Sequence, residues 1–342
     1  MIDLFSDTLT RPTLGMRQAM AEAPVGDEQL GEDPSTCALE ERVAGLLGFE
    51  SALFLISATM ANAIAVQLFC GAGDELLTAE SSHVLCYETG SPAVHARAQG
   101  RGIPSQDGTF TGHDLLARAR PDMPHCPRPT LVVVENPTNQ GGGFPWTREG
   151  LEEVRSTARS MGLKLHLDGS RLFNAAEYHG CSAGELARGF DTVTLCFSKG
   201  LGAPGGAALA LPRSLRDRAV RLKHTMCGAM RQSGILACAC QYGLEHHVGR
   251  LGEDRFNAAR LAEGLATVEG VVVEPNPRRT NMVFFSLSGV DPDRFDQAVR
   301  LRDVRFSRPG PNRFRAVTHL DVSSADIEAA VARVSAVIRD LD

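Results

Sequence analysis

The sequence has no long apolar run and no stripe of basic residues. Its 342 residues include 35 Lys and Arg against 41 Asp and Glu, interspersed, with a formal net charge of -6. A transmembrane helix needs about 18 or more consecutive apolar residues, and a nucleic-acid-binding surface usually shows clustered Lys and Arg. These absences argue against a membrane or a nucleic acid as partner and favour a metabolic protein that acts on a small molecule.

The chain also lacks the usual sequence signs of secretion, disulfide bonding and zinc binding. Residues 1–12 (MIDLFSDTLTRP) have no basic segment followed by an apolar one, so we expect a cytoplasmic location. The nine cysteines are scattered, odd in number, mostly inside apolar runs and without a C-x-x-C pair. We therefore predict reduced core thiols, with no disulfide framework and no metal site.

Strand-like and helix-like segments alternate up to about residue 250. Short apolar runs rich in Val and Leu predict strands at 52–56, 75–78, 130–135, 163–168 and 191–197, and helical spacing predicts helices near 39–47, 59–69 and 147–161. Such strands are typical of a mostly parallel sheet covered by helices on both faces. We predict an N-terminal arm and a large α/β domain at 1–250.

The pattern then changes to short strands paired with helices. The sequence predicts a helix at 258–266, strands at 271–274, 282–287 and 313–319, and a closing helix from Ser324. This arrangement indicates a smaller C-terminal α+β domain at 251–342.

The stretch FSKGLGAPGG formally matches the dinucleotide fingerprint G-x-G-x-x-G at Gly200, Gly202 and Gly205. That fingerprint must open a helix. Here Pro204 interrupts the glycines, and the apolar run that follows predicts a strand. The glycines therefore favour another role, which is to let the backbone turn away after Lys199.

Two predicted strands lead into side chains that can do chemistry. Asp168 ends one strand and Lys199 follows the next, so both are expected at the sheet edge where open α/β sheets bind ligands. The two residues could form only an ion pair. Alternatively, the lysine forms a Schiff base with pyridoxal phosphate (PLP) and the aspartate keeps the pyridine nitrogen protonated. The segment SATMAN (residues 57–62) then offers a helix N-terminus and the Thr59 hydroxyl to the phosphate. The same segment is also typical of an ordinary helix N-cap.

Six segments, in order along the chain, carry a family resemblance. They are FSDTLTRPT, VGDEQLGEDP, SATMANAIA, HLDGSRLFNA, FSKGLGAPGG and GAMRQSGILA. Together they resemble the low-specificity L-threonine aldolases, PLP enzymes of fold type I that are similar to β-eliminating lyases. The resemblance implies the fold type I transferase architecture, PLP as cofactor, and a homodimer or homotetramer with shared active sites.

The resemblance also implies which residues bind the cofactor. Lys199 matches the Schiff-base lysine, and Asp168 matches the partner of the pyridine nitrogen. Ala58 and Thr59 lie in the segment expected at the phosphate. His83 matches the catalytic histidine that stacks on the ring and is associated with the β-hydroxyl group.

Five further residues match binding positions of the family. Arg171 would lie beside the cofactor and near the substrate carboxylate. Ser6 and Arg315 match positions that bind the α-carboxylate, for which a guanidinium fork is well suited. His125 matches a second active-site histidine that contacts substrate. Arg231 matches a residue that reaches the cofactor phosphate of a neighbouring subunit.

The activity implied is retro-aldol cleavage of L-threonine, L-allo-threonine or a related β-hydroxy-α-amino acid, phenylserine included. The products are glycine and an aldehyde, and His83 or a water that it positions removes the hydroxyl proton. Two alternatives stay open. One is another PLP reaction on the same scaffold, such as alanine racemisation or β-elimination, and the other is a catalytically silent homologue.

The chain departs from the family pattern at four positions. Ala58 replaces a glycine, Pro137 and Thr138 replace a polar pair, and Leu30 replaces a tyrosine. We expect an intact scaffold with an altered substrate pocket. Because leucine offers no hydroxyl to a polar substrate group, we expect phenylserine to be cleaved better than threonine. Alternatively, Leu30 only packs a loop away from the site and leaves the substrate preference unchanged.

Overall fold

Two β-sheets and the helices packed on them organise residues 1–341, the part of the chain that the computed structural model describes. The strands are β1 (Ile2–Leu4), β2 (Ser51–Leu55), β3 (Asp74–Ala79), β4 (Gln99–Ile103), β5 (Arg128–Glu135), β6 (Lys164–Gly169), β7 (Thr192–Cys196), β8 (Ala207–Leu211), β9 (Val271–Val273), β10 (Met282–Leu287), β11 (Val304–Gly310) and β12 (Arg313–Val317). The α-helices are α1 (Leu14–Ala21), α2 (Pro34–Leu47), α3 (Ala58–Phe69), α4 (His83–Cys86), α5 (Gly112–Arg118), α6 (Arg148–Ser160), α7 (Leu172–His179), α8 (Ala183–Ala187), α9 (Arg213–Thr225), α10 (Gly234–His246), α11 (Leu251–Ala266), α12 (Pro292–Leu301) and α13 (Ser324–Leu341).

The large sheet has seven strands in the order β2-β8-β7-β6-β5-β3-β4. Strand β8 runs antiparallel to its neighbours β2 and β7, and the other neighbouring pairs are parallel. Every residue of β7 and β8 is buried, as expected for strands with helices on both faces. The predicted α/β class with a mostly parallel sheet is confirmed.

The small sheet has five strands in the order β1-β11-β12-β10-β9. Its first strand comes from the other end of the chain, since β1 pairs in parallel with β11 from Ile2↔Val304 to Leu4↔Phe306. The sequence predicts β9, β10 and β12 but neither β1 nor β11. The division into 1–250 and 251–342 stays a prediction.

Among residues 1–341, no helix combines the length and the apolar character needed to cross a membrane.

The chain turns tightly directly after Lys199. The Gly202 N–H donates to the Lys199 carbonyl at 2.8 Å. Gly202 has a φ of 73°, a left-handed value that glycine adopts without strain. The chain then enters β8, a strand as predicted. Because no helix follows the glycines, the dinucleotide interpretation is excluded.

All nine cysteines are unpaired. Cys70, Cys196 and Cys240 are buried, whereas Cys86 and Cys227 are exposed and the others are half-buried. The prediction of core thiols is therefore right for the three buried residues and wrong for the two exposed ones, because an apolar stretch of sequence does not by itself bury every residue in it.

Asp33 joins three segments of the large domain. As the N-cap of α2, its Oδ1 accepts the Thr36 N–H at 2.8 Å. Its Oδ2 accepts the N–H of Gly26 at 3.1 Å and that of Gly234, the first residue of α10, at 3.0 Å. This buried carboxylate therefore connects α2, α10 and the loop before α2.

We expect Asp33→Ala to lower the free energy of unfolding by about 3 kcal/mol, because one cap is lost and two further N–H groups lose their acceptor. The matched control is Asp114→Ala, which removes an exposed carboxylate that accepts the Thr111 N–H at the start of α5 and should cost about 1 kcal/mol or less. Urea denaturation measures both variants. Equal losses would contradict the threefold role of Asp33.

Candidate active site

Polar side chains gather where β5, β6 and β7 end. Glu135 ends β5 in register with Asp168 of β6, which lies in register with Thr194 of β7. Residues in register on parallel strands project from the same face of the sheet, so the two carboxyl groups are neighbours. Lys199 follows β7 and is half-buried. Asp168 and Lys199 thus lie at one edge of the sheet.

Asp168 is a buried carboxylate with several donors around it. Its Oδ2 accepts from Asn62 at 2.8 Å, and its Oδ1 accepts from the backbone and the hydroxyl of Ser170 at 3.1 and 2.7 Å. Burial alone would raise the pKa of Asp168, but the nearby charges of Lys199 and His83 outweigh it and hold the pKa below its usual value. The carboxylate therefore stays ionised at neutral pH.

Asn62 of α3 links Asp168 to a second buried acid. Its Nδ2 donates to Asp168 Oδ2 and to Glu88 Oε1, both at 2.8 Å. Its Oδ1 accepts from His166 Nε2 at 3.0 Å. Burial lowers the pKa of His166 to about 4, so this ring is neutral and its Nδ1 accepts the Thr192 hydroxyl at 2.8 Å. These bonds fix the orientation of the Asn62 amide.

His83 opens the short helix α4 and faces the two acids. Its Nδ1 lies 3.0 Å from Glu88 Oε1. Burial lowers the pKa of His83, but the hydrogen bond to Glu88 and the charge of Asp168 outweigh it, so the pKa lies above its usual value. Donor atoms of His83, Glu88 and Asp168 lie within 4.8 Å of one another, a spacing that a metal ion could also bridge. The hydrogen bonds that Asn62 and His83 make to the two acids already explain why these three side chains lie so close together.

Burial and the charge of Asp168 raise the pKa values of the other two acids of the site. Burial raises the pKa of Glu135 to about 7, and the negative charge of Asp168 adds to the rise. Burial also raises the pKa of Glu88, although its hydrogen bond with His83 opposes the rise. One ionised carboxylate therefore disfavours the ionisation of its neighbours. Shifts of this kind are common at functional sites.

Arg171, which directly precedes α7, forms a buried bidentate pair with Asp7. The distances are 2.7 Å from Nε to Oδ2 and 2.7 Å from Nη2 to Oδ1. Asn281 also donates to Asp7 Oδ2, at 3.2 Å. Burial would raise the pKa of Asp7, but the Arg171 guanidinium outweighs it and holds the pKa well below its usual value. The predicted residue Ser6 is buried next to Asp7 in the chain.

Arg315 of β12 is a second buried guanidinium. Its Nη1 donates to Asn139 Oδ1 at 2.7 Å, and its Nε donates to the Ser307 hydroxyl at 3.1 Å. Burial lowers the pKa of Arg315 to about 10, and the positive charge of Arg171 adds to the fall. Since these acceptors are neutral oxygens, a carboxylate ligand would stabilise the charge of Arg315.

The N-terminus of α3 supplies backbone donors near Asp168. Ser57 caps the helix with its side chain, whereas the N–H groups of Ala58 and Thr59 belong to the first turn, which has no acceptors inside the helix. Such a helix end binds anions, phosphate included. Asn62, about one turn further along α3, contacts Asp168. The helix N-terminus and Asp168 therefore border the same region.

Three positions singled out in the sequence are exposed at the surface of the single chain. Arg231 is exposed and pairs with Asp27 at 2.8 Å. Leu30, in the turn after Asp27, is 70% exposed. His125 is exposed and precedes the first residue of β5. The length of that strand separates His125 by about 25 Å from the edge where β5 ends.

Asp7, Asn62, Glu88 and Glu135 were not predicted as site residues. Glu135 ends a predicted strand, which is the signal that identified Asp168, so the same rule would have found it. Asp7 and Asn62 lie inside segments that carry the family resemblance, but their partners are distant in sequence. Glu88 lies in a loop without periodicity, and no sequence signal marks it.

The buried carboxyl group of Glu135 makes the free energy of unfolding depend on pH. Its pKa of about 7 in the fold exceeds the value of about 4.3 for glutamate in an unfolded chain. Its contribution to stability is therefore fully present below about pH 4 and is lost as the pH rises through about 7. Glu135→Gln mimics the protonated form and should reduce the loss of unfolding free energy between about pH 5 and about pH 8 by about 2 to 3 kcal/mol.

Urea denaturation of the wild type and the Glu135→Gln variant at both pH values measures this difference. Glu41→Gln, at an exposed position, is the matched control and should follow the wild type. A Glu135→Gln profile parallel to that of the wild type would show that the buried carboxyl group does not titrate in this range.

Comparison with known proteins agrees with this geometry. The sequence model of the β-eliminating lyase family matches residues 3–288. The low specificity L-threonine aldolase of Escherichia coli (strain K12) is 38% identical over 333 residues, which are 97% of this chain and 98% of that protein. The low-specificity L-threonine aldolase 1 of Arabidopsis thaliana is 34% identical over 95% of this chain and 93% of that protein.

A solved structure shows the same fold. The threonine aldolase of Leishmania major superposes with a TM-score of 0.83 at 21% identity, over 100% of both chains. The fold, the ordered segments and the sequence matches lead to one assignment: the chain belongs to the low-specificity L-threonine aldolases, within the β-eliminating lyase family.

Proposed function

We propose that this chain is a PLP-dependent aldolase that cleaves the Cα–Cβ bond of β-hydroxy-α-amino acids. L-threonine, L-allo-threonine and phenylserine are the candidate substrates, and glycine and an aldehyde are the products. The observation that supports this most strongly is the buried, ionised Asp168 at the sheet edge that also holds Lys199 and His83. These are the side chains needed to bind PLP and to move a proton at the substrate.

The residues of the site fit PLP. Lys199 would hold the cofactor as a Schiff base, and Asp168 would pair with the pyridine nitrogen and keep it protonated. The N–H groups of Ala58 and Thr59 would donate to the phosphate. His83 would lie against the ring. The protonated ring supplies a sink for the electron pair released when the Cα–Cβ bond breaks.

The two buried arginines and Ser6 would bind the α-carboxylate of the substrate. Arg171 already has an anionic partner in Asp7, whereas the acceptors that Arg315 contacts are neutral. A substrate carboxylate would supply the negative charge that Arg315 lacks and would orient the amino acid with its Cα toward Lys199.

His83, or a water that it positions, would remove the β-hydroxyl proton. As that proton leaves, the O–H electron pair becomes the second carbon–oxygen bond of the aldehyde. An amino acid without a β-hydroxyl group cannot be cleaved in this way. The hydroxyl requirement separates this activity from racemisation on the same scaffold.

A second copy of the chain completes the site in this proposal, as a homodimer or homotetramer. The exposed guanidinium of Arg231 would reach the phosphate in the neighbouring copy, and His125 would contact substrate from another copy. The exposure of both residues, and the position of His125 before the start of β5 instead of at its end, support this arrangement. Leu30 is exposed beside the Arg231 segment and would face the same interface. The cytoplasmic location stays a prediction.

We expect the purified protein to convert threonine, allo-threonine and phenylserine to equal amounts of glycine and aldehyde. Lys199→Ala should abolish turnover. His83→Ala should lower kcat by about 10² to 10⁴ with less effect on cofactor affinity, because other residues also hold the cofactor. Chromatographic glycine analysis and a coupled aldehyde assay measure the products.

Alanine, which has no β-hydroxyl group, serves as the control substrate. Racemisation of alanine without aldehyde release from any hydroxyamino acid would assign the chain to a different reaction. Retained PLP without turnover of any of these amino acids would indicate a silent homologue.

A further inference from the structure

Behind His83 lies a buried acid, Glu88, that has no part in the steps above. The His83 side chain is 30% exposed and that of Glu88 is 0% exposed, and Nδ1 of the ring lies 3.0 Å from Oε1 of the acid. Nδ1 thus faces the interior of the protein. Nε2, on the other side of the ring, is the nitrogen left for a reacting group.

The surrounding hydrogen bonds decide which nitrogen of His83 carries hydrogen. Asn62 accepts from His166 through Oδ1, so its Nδ2 must donate to Glu88 Oε1, at 2.8 Å. With its orientation set in this way, the Glu88 carboxylate acts as an acceptor. When Glu88 is ionised, which its hydrogen bond with His83 favours, Nδ1 of His83 is the donor, and neutral His83 then has an unprotonated Nε2 that can take a proton.

Glu88 is costly for the fold. Its Oε2 is buried and has no hydrogen-bond partner among residues 1–341, and a buried polar atom without a partner destabilises a fold. Packing alone does not require an acid here. A negative charge beside the ring does stabilise an imidazolium, as in other pairs of a carboxylate and a histidine.

Glu88 is one of several charged groups that face His83. Asp168 of β6 and Glu135 of β5 add negative charge, and Lys199 after β7 adds positive charge. Of these groups, Glu88 bonds directly to the ring. Its removal should therefore act on His83 through the loss of a direct contact, whereas Asp168 and Glu135 act on His83 through charge alone.

We propose that Glu88 is the positioning residue for His83. It keeps the hydrogen on Nδ1, leaves Nε2 free to accept the β-hydroxyl proton, and stabilises the imidazolium that forms. In this step the O–H bond breaks and an Nε2–H bond forms. The O–H electron pair forms the aldehyde carbonyl as the Cα–Cβ pair leaves with the glycine fragment. The inference rests on the proposed aldolase function.

Glu88→Gln tests the charge separately from the shape, because a glutamine oxygen can still accept from Nδ1. In the PLP-loaded enzyme, the acidic limb of log kcat against pH should move down by about one pH unit. At its plateau, kcat should fall about 3- to 10-fold, with KM changed less than about 2-fold. Glu88→Ala, which also removes the acceptor, should lower kcat by about 10- to 100-fold.

Glu80→Gln is the matched control, since Glu80 is exposed and lies three residues before His83. It removes the same charge near the same helix and should leave the pH profile and kcat unchanged. Loss of activity of similar size in Glu80→Gln and Glu88→Gln would overturn the proposal.

A second readout does not use activity. The exchange of the imidazole C2 hydrogen with deuterium, followed against pH by mass spectrometry on peptides that separate His83 from His95, reports the pKa of His83 in the full enzyme. Glu88→Gln should lower this pKa by about one unit, and Glu80→Gln should leave it in place.

The two readouts distinguish this proposal from the function on which it rests. If the wild type cleaves no hydroxyamino acid, the aldolase function fails whatever the exchange data show. If the wild type cleaves threonine and His83→Ala impairs cleavage, but Glu88→Gln moves neither the His83 pKa nor the acidic limb, the function stands and the role of Glu88 is refuted.

Discussion

A negative charge buried at the end of β6 governs this region of the molecule. Asp168 stays ionised because Asn62 and Ser170 donate hydrogen bonds to it and because Lys199 and His83 carry positive charge nearby. Without these groups, a buried carboxyl group would take up a proton. The proposed binding of a protonated cofactor ring depends on this charge.

The same charge divides the site into an acidic and a basic half. On the acidic side, Asp168 raises the pKa of Glu135 and lies close to Glu88. On the basic side, Arg171 and Arg315 lie close enough for the charge of one to lower the pKa of the other. An α-amino acid has the matching polarity, since its carboxylate complements the arginines and its ammonium group complements the acids. The charge pattern therefore suits the proposed substrate class.

The positions of Asp168 and Lys199 could be predicted from the sequence, because ligands of open α/β sheets bind beyond the carboxyl ends of the strands and both residues follow such ends. That rule needs only two recognisable strands. The small sheet was harder, because β1 has three residues and its partner begins at Val304. Such a strand has no detectable period, and its stability comes from a pairing between the two ends of the chain.

Contacts made by loop residues could not be predicted from the sequence either. Glu88 is important because it forms hydrogen bonds with His83 and Asn62. No pattern of residue spacing in the sequence predicts these contacts. His125 and Arg231 illustrate the opposite case. Family resemblance assigns them to the site, but the fold of one copy keeps both at its surface, since their proposed partners belong to another copy.

The most direct test of the account is to find which lysine carries the cofactor. The sequence contains only Lys164, Lys199 and Lys223. Lys164 begins β6 at the opposite edge of the sheet and pairs with Asp191 at 3.1 Å, and buried Lys223 donates to the Phe54 carbonyl at 2.8 Å. Borohydride reduction of the PLP-loaded protein followed by peptide mass mapping should place the pyridoxyl label on Lys199 alone. A label on Lys164 or Lys223, with Lys199 unmodified, would contradict the account.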